Sequence, residues 1–163
     1  MPAQATKCVL IAAPHTSNWD LPYTLMVAFA LRLNVLWMGK ASLFRFGLGP
    51  LMRALGGVAV DRSQAHDAVR ASAQRIAQAN GPVQWIVAPE GTRRKVHTWK
   101  TGFHHIARQA GVPILTAHLD YGQRRGGLGP VFEPGDDVQA DIARIKAFYA
   151  PMKGRNPQQY APD

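Results

Sequence analysis

Short runs rich in Val, Ile and Leu recur along the chain at Cys8–Ala13, Val35–Met38, Val58–Val60, Val83–Ala88, Ile114–Leu119 and Gly129–Phe132. Each has the length of a strand and is bounded by Gly, Pro, Asn or other polar residues, which predicts β-strands. Between them lie segments with helical spacing: Ser17–Leu33, Ser42–Leu55, Gln64–Asn80, Thr101–Ala110 and Val138–Tyr149. The clearest is Gln64–Asn80, where Ala68, Ala71, Arg75, Ile76 and Ala79 recur at three- and four-residue steps and Asn80-Gly81-Pro82 supplies a stop. Gly49-Pro50 is expected to break Ser42–Leu55 into two short pieces. Strands alternating with helices predict one α/β layered domain over residues 1–150, with a mixed, largely parallel central sheet flanked by helices. Residues 151–163, which include Pro151, Pro157 and Pro162, are expected to form an irregular C-terminal tail.

A chain of 163 residues suits a single core that needs no disulfide or metal to stand. Lys and Arg total 19 against 10 for Asp and Glu, and the net charge of +9 predicts anionic company: nucleic acid, an anionic membrane face or a phosphorylated small molecule. The aromatic residues sit mostly in apolar runs and are not interleaved with Lys and Arg, so no nucleic-acid partner is expected. The single cysteine, Cys8, excludes an intramolecular disulfide framework and a Cys-based zinc knuckle, and its apolar run predicts a buried structural thiol. The longest apolar stretch, Leu21–Trp37, is interrupted by Pro22, Arg32 and Asn34 and reads as a helix followed by a strand. With no span and only a short apolar start, the expected compartment is the cytoplasm.

In parallel sheets ligands gather at the carboxyl ends of the strands, and three such ends carry polar chemistry. The first is Pro14-His15-Thr16-Ser17-Asn18-Trp19-Asp20, where a histidine at a strand end precedes a carboxylate in the first turn of a helix. Asp20 there can hold the His15 tautomer and stabilise the imidazolium that forms when His15 takes a proton. Ser17 and Asp20 also fit a capping box, which would make Asp20 a structural partner of the helix start. The second is Pro89-Glu90-Gly91-Thr92-Arg93-Arg94-Lys95 after the run Val83–Val87. Gly91 permits close backbone approach, Thr92 offers a hydroxyl and Arg93 a bidentate fork for phosphate, although arginines after a strand are often a solvated turn. The third is Gly56-Gly57-Val58-Ala59-Val60-Asp61-Arg62, where Arg62 can reach the same edge or pair with Asp61 or Asp67. His97, His104 and His105 have no suitably spaced Cys or carboxylate and read as surface or core histidines, so no metal is expected.

Taken in order, His15-x4-Asp20, Gly57–Arg62, Pro89-Glu90-Gly91-Thr92-Arg93 and Val112-Pro113-Ile114 resemble the four motifs of the glycerolipid acyltransferase family, which includes glycerol-3-phosphate and 1-acylglycerol-3-phosphate acyltransferases. The stretch from Gly39-Lys40 through Leu43-Phe44 to Gly49 resembles the segment between the first two motifs. The resemblance implies that His15 would act as general base on an acceptor hydroxyl and that Asp20 would orient it. It implies a head-group site built from Glu90, Gly91, Thr92, Arg93 and Arg62, and an acyl pocket shaped by Val112, Pro113 and Ile114. It also implies an acyl-CoA or acyl-carrier-protein donor, a lysolipid acceptor such as 1-acylglycerol-3-phosphate, with a different lysolipid or an amino-acid-derived lipid as the alternative, and no cofactor.

Two features bear on membranes. The chain starts close to its first strand, without the apolar N-terminal helices of many family members, and the third motif is followed by Arg94 and Lys95 where Ser is common. A peripheral attachment to the anionic inner face of a membrane is therefore expected, through a stripe of Phe44, Leu48, Leu51 and Leu55 on Ser42–Leu55. That stripe can equally face the core.

Overall fold

The computed structural model describes residues 5–45, 47–60 and 65–161. Among these residues six strands form one sheet: β1 (Lys7–Ala13), β2 (Val35–Lys40), β3 (Gly57–Val60), β4 (Val83–Val87), β5 (Ile114–Asp120) and β6 (Arg125–Phe132). Their spatial order is β3-β2-β4-β1-β5-β6, and every neighbouring pair is parallel except β5 with β6. The helices are α1 (Asp20–Ala30), α2 (Gly49–Ala54), α3 (Ala65–Ala77), α4 (Gly102–Ala110) and α5 (Val138–Tyr149). The mixed, largely parallel sheet flanked by helices is the expected architecture.

Alternation along the strands splits the interior in two. Val9, Ile11, Trp85 and Ile114 face one side, where Phe103 and Ile106 of α4 and Ile145 and Tyr149 of α5 close over them. Cys8, Leu10, Ile86 and Leu115 face the other, beneath Leu21 and Leu25 of α1 and beside Trp37 and Phe44. The helix after β1 thus lies on one face of the sheet and the helix after β4 on the other. The two loops leave adjacent strands in opposite directions, and a crevice opens between them at the carboxyl edge, where such folds bind ligands.

Several boundaries differ from the expected ones. The α1 helix begins at Asp20 because the Asp20 carboxylate ties back to the amides of Thr16 and Ser17, holding those residues in a turn before the helix. It ends where Arg32 takes a positive φ of 54°. Gly49-Pro50 does break Ser42–Leu55: a single 3-10 turn covers Ala41–Phe44, and α2 follows. The last strand extends back to Arg125 through Gly126, Gly127 and Gly129, because pairing with β5 outweighs the poor strand preference of glycine. At Gly126 a Cβ would come within 2.9 Å of Leu119 and Val27, so the short residue is what lets the strand lie there.

Beyond α5 the chain runs back across the carboxyl edge of the sheet. A 3-10 turn at Pro157–Gln159 follows, and Tyr160 and Ala161 are buried. Gly154 passes so close to Thr16 that a Cβ there would lie 2.6 Å from the Thr16 hydroxyl. Asn156 bonds the Thr16 hydroxyl and carbonyl, its main-chain N–H donating to Oγ1 at 3.2 Å and its Nδ2 donating to the carbonyl at 2.8 Å.

Candidate active site

The carboxyl ends of β1, β4 and β5 bring His15, Glu90 and Tyr121 to one edge. His15 Nδ1 lies 3.1 Å from Asp20 Oδ2, with the imidazole about a quarter exposed (24%) and the carboxylate buried. The same Oδ2 accepts from the amides of Thr16 at 2.7 Å and Ser17 at 2.8 Å, and Oδ1 accepts from the Tyr121 hydroxyl at 2.8 Å. Burial alone would push the Asp20 carboxyl up, but the hydrogen bonds from His15, Ser17, Tyr121 and Thr16 outweigh it and hold the group below its ordinary value. An ionised Asp20 only accepts, so Nδ1 carries the imidazole proton and Nε2 is left as the basic nitrogen. The turn contacts and the pairing with His15 coexist on Asp20: one carboxylate folds the turn and faces the histidine. Ser17 Oγ accepts from the Trp19 amide at 3.2 Å, a turn-forming contact.

Glu90 turns inward, and Oε1 accepts from the main-chain N–H of His15 at 3.0 Å. Its Oε2 is buried with no hydrogen-bond partner among the described residues. Burial raises the Glu90 carboxyl, and the nearby Asp20 charge adds to that, while the His15 amide partly offsets both. A carboxylate so placed braces the histidine loop. Gly91 follows with φ of 65°, a left-handed turn that suits glycine, and the Lys100 side chain packs over it. Thr92 Oγ1 accepts from the Arg94 amide at 3.3 Å. The Arg93 side chain is exposed at the rim, and its carbonyl is within 2.7 Å of the Gln159 amide nitrogen once that side chain is oriented to donate. Arg62 lies outside the described residues.

A cleft of about 850 Å³ opens beside His15. His15, Asp20, Gly91 and Arg93 line it, as do Lys40 and Lys100, two exposed cations at the ends of β2 and of the loop after β4. Its apolar wall comes from Leu10, Leu21, Ala28, Leu33, Trp37 and Ile86. Val112, Pro113 and Ile114 are not part of it. Register pairs Val9 with Ile114 and Ala13 with His118, which puts the start of β5 at the opposite edge of the sheet from His15. Val112 and Ile114 are buried in the core, away from this cleft. Sequence reading gave no role to Lys40, Lys100 and Tyr121, although Lys40 ends β2, Tyr121 follows β5 and Lys100 lies in the loop after β4.

Other candidates have structural partners. His104 is buried with Nε2 2.8 Å from Asp141 Oδ2, and Asp141 also holds the Gly135 amide and the Arg144 guanidinium. Trp99 and Phe103 meet edge to face within the core. Cys8 is fully buried, and burial pushes its thiol up to about 12. Among the described residues no group of three or more His, Cys, Asp or Glu side chains is placed to hold a metal ion.

The sequence profile of the Acyltransferase family matches residues 2–120, which span β1 to β5 and the whole His15–Glu90 arrangement. The chain is 32% identical over 108 residues to a 1-acyl-sn-glycerol-3-phosphate acyltransferase of Haemophilus influenzae, an alignment covering 62% of this chain and 43% of that protein. It thus spans less than half the length of that relative. Its fold is similar to the crystal structure of the 1-acyl-sn-glycerophosphate acyltransferase PlsC from Thermotoga maritima, with a TM-score of 0.60 at 22% identity, over 91% of this chain and 68% of the other. With the profile covering most of the chain, including the crevice and its histidine, the protein belongs to the acyltransferase family.

Proposed function

We propose that this chain moves a fatty acyl group from a thioester, acyl-CoA or acyl-carrier protein, to the free hydroxyl of a lysolipid, with 1-acylglycerol-3-phosphate as the leading acceptor. The observation that carries the reading is the His15–Asp20 pair at 3.1 Å, set at the edge of a cleft with one apolar wall and a cationic rim. His15 Nε2 takes the hydroxyl proton as the oxygen attacks the thioester carbonyl. The tetrahedral intermediate then collapses, the carbon–sulfur bond breaks, and the imidazolium returns its proton to the departing thiolate. A thioester is already activated, so general-base help, worth about 10²–10⁴-fold, is the main chemical assistance the acceptor needs. Arg93, Lys40 and Lys100 suit a phosphate-bearing acceptor, and the apolar wall suits acyl chains. No metal or cofactor enters the reaction as proposed.

The protein reaches its acceptor as a peripheral protein on an anionic, cytoplasmic membrane face. No helix among the described residues is long and apolar enough to cross a membrane. Phe29 on α1 is 87% exposed and Leu48 beside α2 is 57% exposed, apolar side chains that a lipid boundary can take up.

The test is transfer from a long-chain acyl-CoA, and separately from an acyl-carrier protein, to lysophosphatidic acid by wild-type, His15→Ala and Asp20→Asn proteins. His15→Ala should lower kcat by about 10²–10⁴-fold, and Asp20→Asn should lower kcat with a smaller change in KM. Near-normal turnover by folded His15→Ala protein would overturn the mechanism.

A further inference from the structure

We propose that Tyr121 is a positioning residue for His15, acting through Asp20 by holding the carboxylate in the plane that meets the imidazole. The proposal rests on His15 being the general base. Tyr121 is the first residue after β5, and its phenol donates to Asp20 Oδ1 at 2.8 Å while Oδ2 serves His15 and the two turn amides.

Two contacts fix Tyr121 in turn. Its main-chain N–H donates to the Lys153 carbonyl at 2.9 Å, which ties it to the returning tail. Its ring meets Tyr23 of α1 edge-on, with centroids 6.1 Å apart at 78°. The charged and titratable groups facing it are Asp20, Tyr23 and Arg155, and Arg155 itself stacks over Trp19 at 5.5 Å. Burial, and then the Asp20 carboxylate, raise the Tyr121 hydroxyl above its ordinary value, so it stays protonated and donates across the working pH range.

A donor on Oδ1 does two separable things. It stops the carboxylate from rotating about its last bond, which keeps Oδ2 directed at Nδ1. It also draws negative charge toward Oδ1, which weakens the pull of Oδ2 on the imidazole proton and makes the imidazolium less stable. Removing the donor should therefore loosen the geometry and strengthen the charge at once. Turnover then falls while the pH at which the base becomes competent rises. A phenol that only filled space would produce neither pH effect.

The experiment compares wild type, Tyr121→Phe and a protein with a ring-fluorinated tyrosine incorporated at this position, whose more acidic hydroxyl is a stronger donor of nearly the same shape. Two readouts are taken: the pH dependence of kcat/KM with a long-chain acyl-CoA and lysophosphatidic acid, and the low-field NMR signal of the His15 Nδ1 proton in protein alone. In Tyr121→Phe, kcat should fall about tenfold with both KM values within about twofold. The acidic limb should move up by about half a pH unit and the Nδ1 proton should move downfield. Fluorination should move the limb and the proton the opposite way. Unchanged limb and proton positions in both variants would overturn the proposal, whatever happens to thermal stability. If Tyr121→Phe does not fold, the fluorinated protein decides alone, and if no turnover is seen, the Nδ1 proton decides. His15→Ala in the same assay separates the two ideas: retained turnover there sinks the general-base reading, whereas an inactive His15→Ala beside unmoved Tyr121 variants sinks only this proposal.

Discussion

The main-chain N–H of His15 donates to the buried Glu90 carboxylate at 3.0 Å, a contact between residues 75 positions apart that joins the loops after β1 and β4. Those loops leave the sheet on opposite faces, so nothing in local chain geometry keeps them together. The Glu90 bond does so, and it explains why an acidic residue sits in an otherwise basic strand-end segment.

This contact predicts a pH signature for stability. The folded protein holds the Glu90 carboxyl above its ordinary value, chiefly through burial. Protonation therefore favours the folded state: what Glu90 contributes is largest below the unfolded value and declines as pH rises through the raised one. Glu90→Gln keeps an oxygen to accept from His15 and removes the buried charge. Its stability relative to the parent should rise between about pH 4 and about pH 7 in denaturant titrations. Glu90→Ala leaves the His15 amide without its acceptor and should cost about 1–3 kcal/mol at either pH. A Glu90→Gln protein whose relative stability falls with pH would show that the carboxylate is favoured when ionised.

The layering was legible because buried strands read as Val- and Ile-rich runs and α3 as alanines at helical spacing. What escaped was everything decided by tertiary contact. The glycine-rich start of β6 gains its strand character from β5, and the tail gains its order from Thr16, to which Gly154 and Asn156 fit. Phe44 shares helical spacing with Leu48, Leu51 and Leu55, yet it is buried against Trp37 while the leucines are exposed. Spacing could not separate them, because Gly49-Pro50 ends the helical phase on which the stripe depended. His15 and Asp20 were legible from their spacing as a possible pair. Tyr121 was not, since its link to Asp20 spans 101 residues. The resemblance does not say which end of β5 Val112-Pro113-Ile114 reaches; register does, and it sets the start of β5 at the far edge from His15.

Direct transfer, with no acyl-enzyme, should follow from the placement of the two candidate nucleophiles. Cys8 lies near the start of β1, fully buried and at the opposite end of the strand from His15, and Ser17 Oγ is engaged by the Trp19 amide. Enzyme incubated with acyl-CoA alone should show no stoichiometric adduct by intact-mass spectrometry, and initial-rate patterns should be sequential rather than ping-pong. Ser17→Ala should retain turnover within about threefold while losing about 1 kcal/mol of stability with its turn contact. A stoichiometric adduct on either residue would replace His15 as base toward the acceptor with His15 as base toward the enzyme's own nucleophile.

The cationic rim predicts how the acceptor's charge is felt. Arg93, Lys40 and Lys100 line one cleft but come from separate elements, so each should act on its own. Arg93→Ala should raise KM for lysophosphatidic acid about tenfold, with kcat little changed and KM for the donor less affected. Arg93→Lys should fall between, because lysine supplies the charge without the fork. Rising ionic strength should reproduce part of the effect, since these side chains are exposed. Equal KM values for lysophosphatidic acid and an uncharged monoacylglycerol would remove phosphate recognition and leave the acyl-transfer reading standing.

Membrane attachment should be peripheral and should run through the leucines of α2 and its approach, not through Phe44. Leu48, Leu51 and Leu55 are exposed, and Arg45 and Arg53 stand close by in sequence, also exposed. On α1, Met26 and Phe29 are exposed in a helix whose only charge is Asp20. Apolar side chains entering the head-group boundary contribute through burial, and each Lys or Arg near an anionic surface adds on the order of 1 kcal/mol, screened by salt. Sedimentation with phosphatidylserine-containing vesicles should therefore show binding at low salt that weakens on pure phosphatidylcholine and is released at high salt. The paired substitution Leu48→Ser with Leu51→Ser should cut partitioning at least about tenfold, since two leucines together account for more than 1.4 kcal/mol of burial, and should leave the fold intact. Phe29→Ser should act in the same direction if α1 enters the boundary alongside α2. Phe44→Ser is the internal control. Its ring packs on Trp37 and carries the Arg53 guanidinium 5.7 Å above it, so that change should lower thermal stability rather than select against lipid. A protein that ignores anionic vesicles at low salt, yet transfers acyl groups to a micellar or soluble acceptor, would refute the attachment and leave the chemistry of His15 untouched.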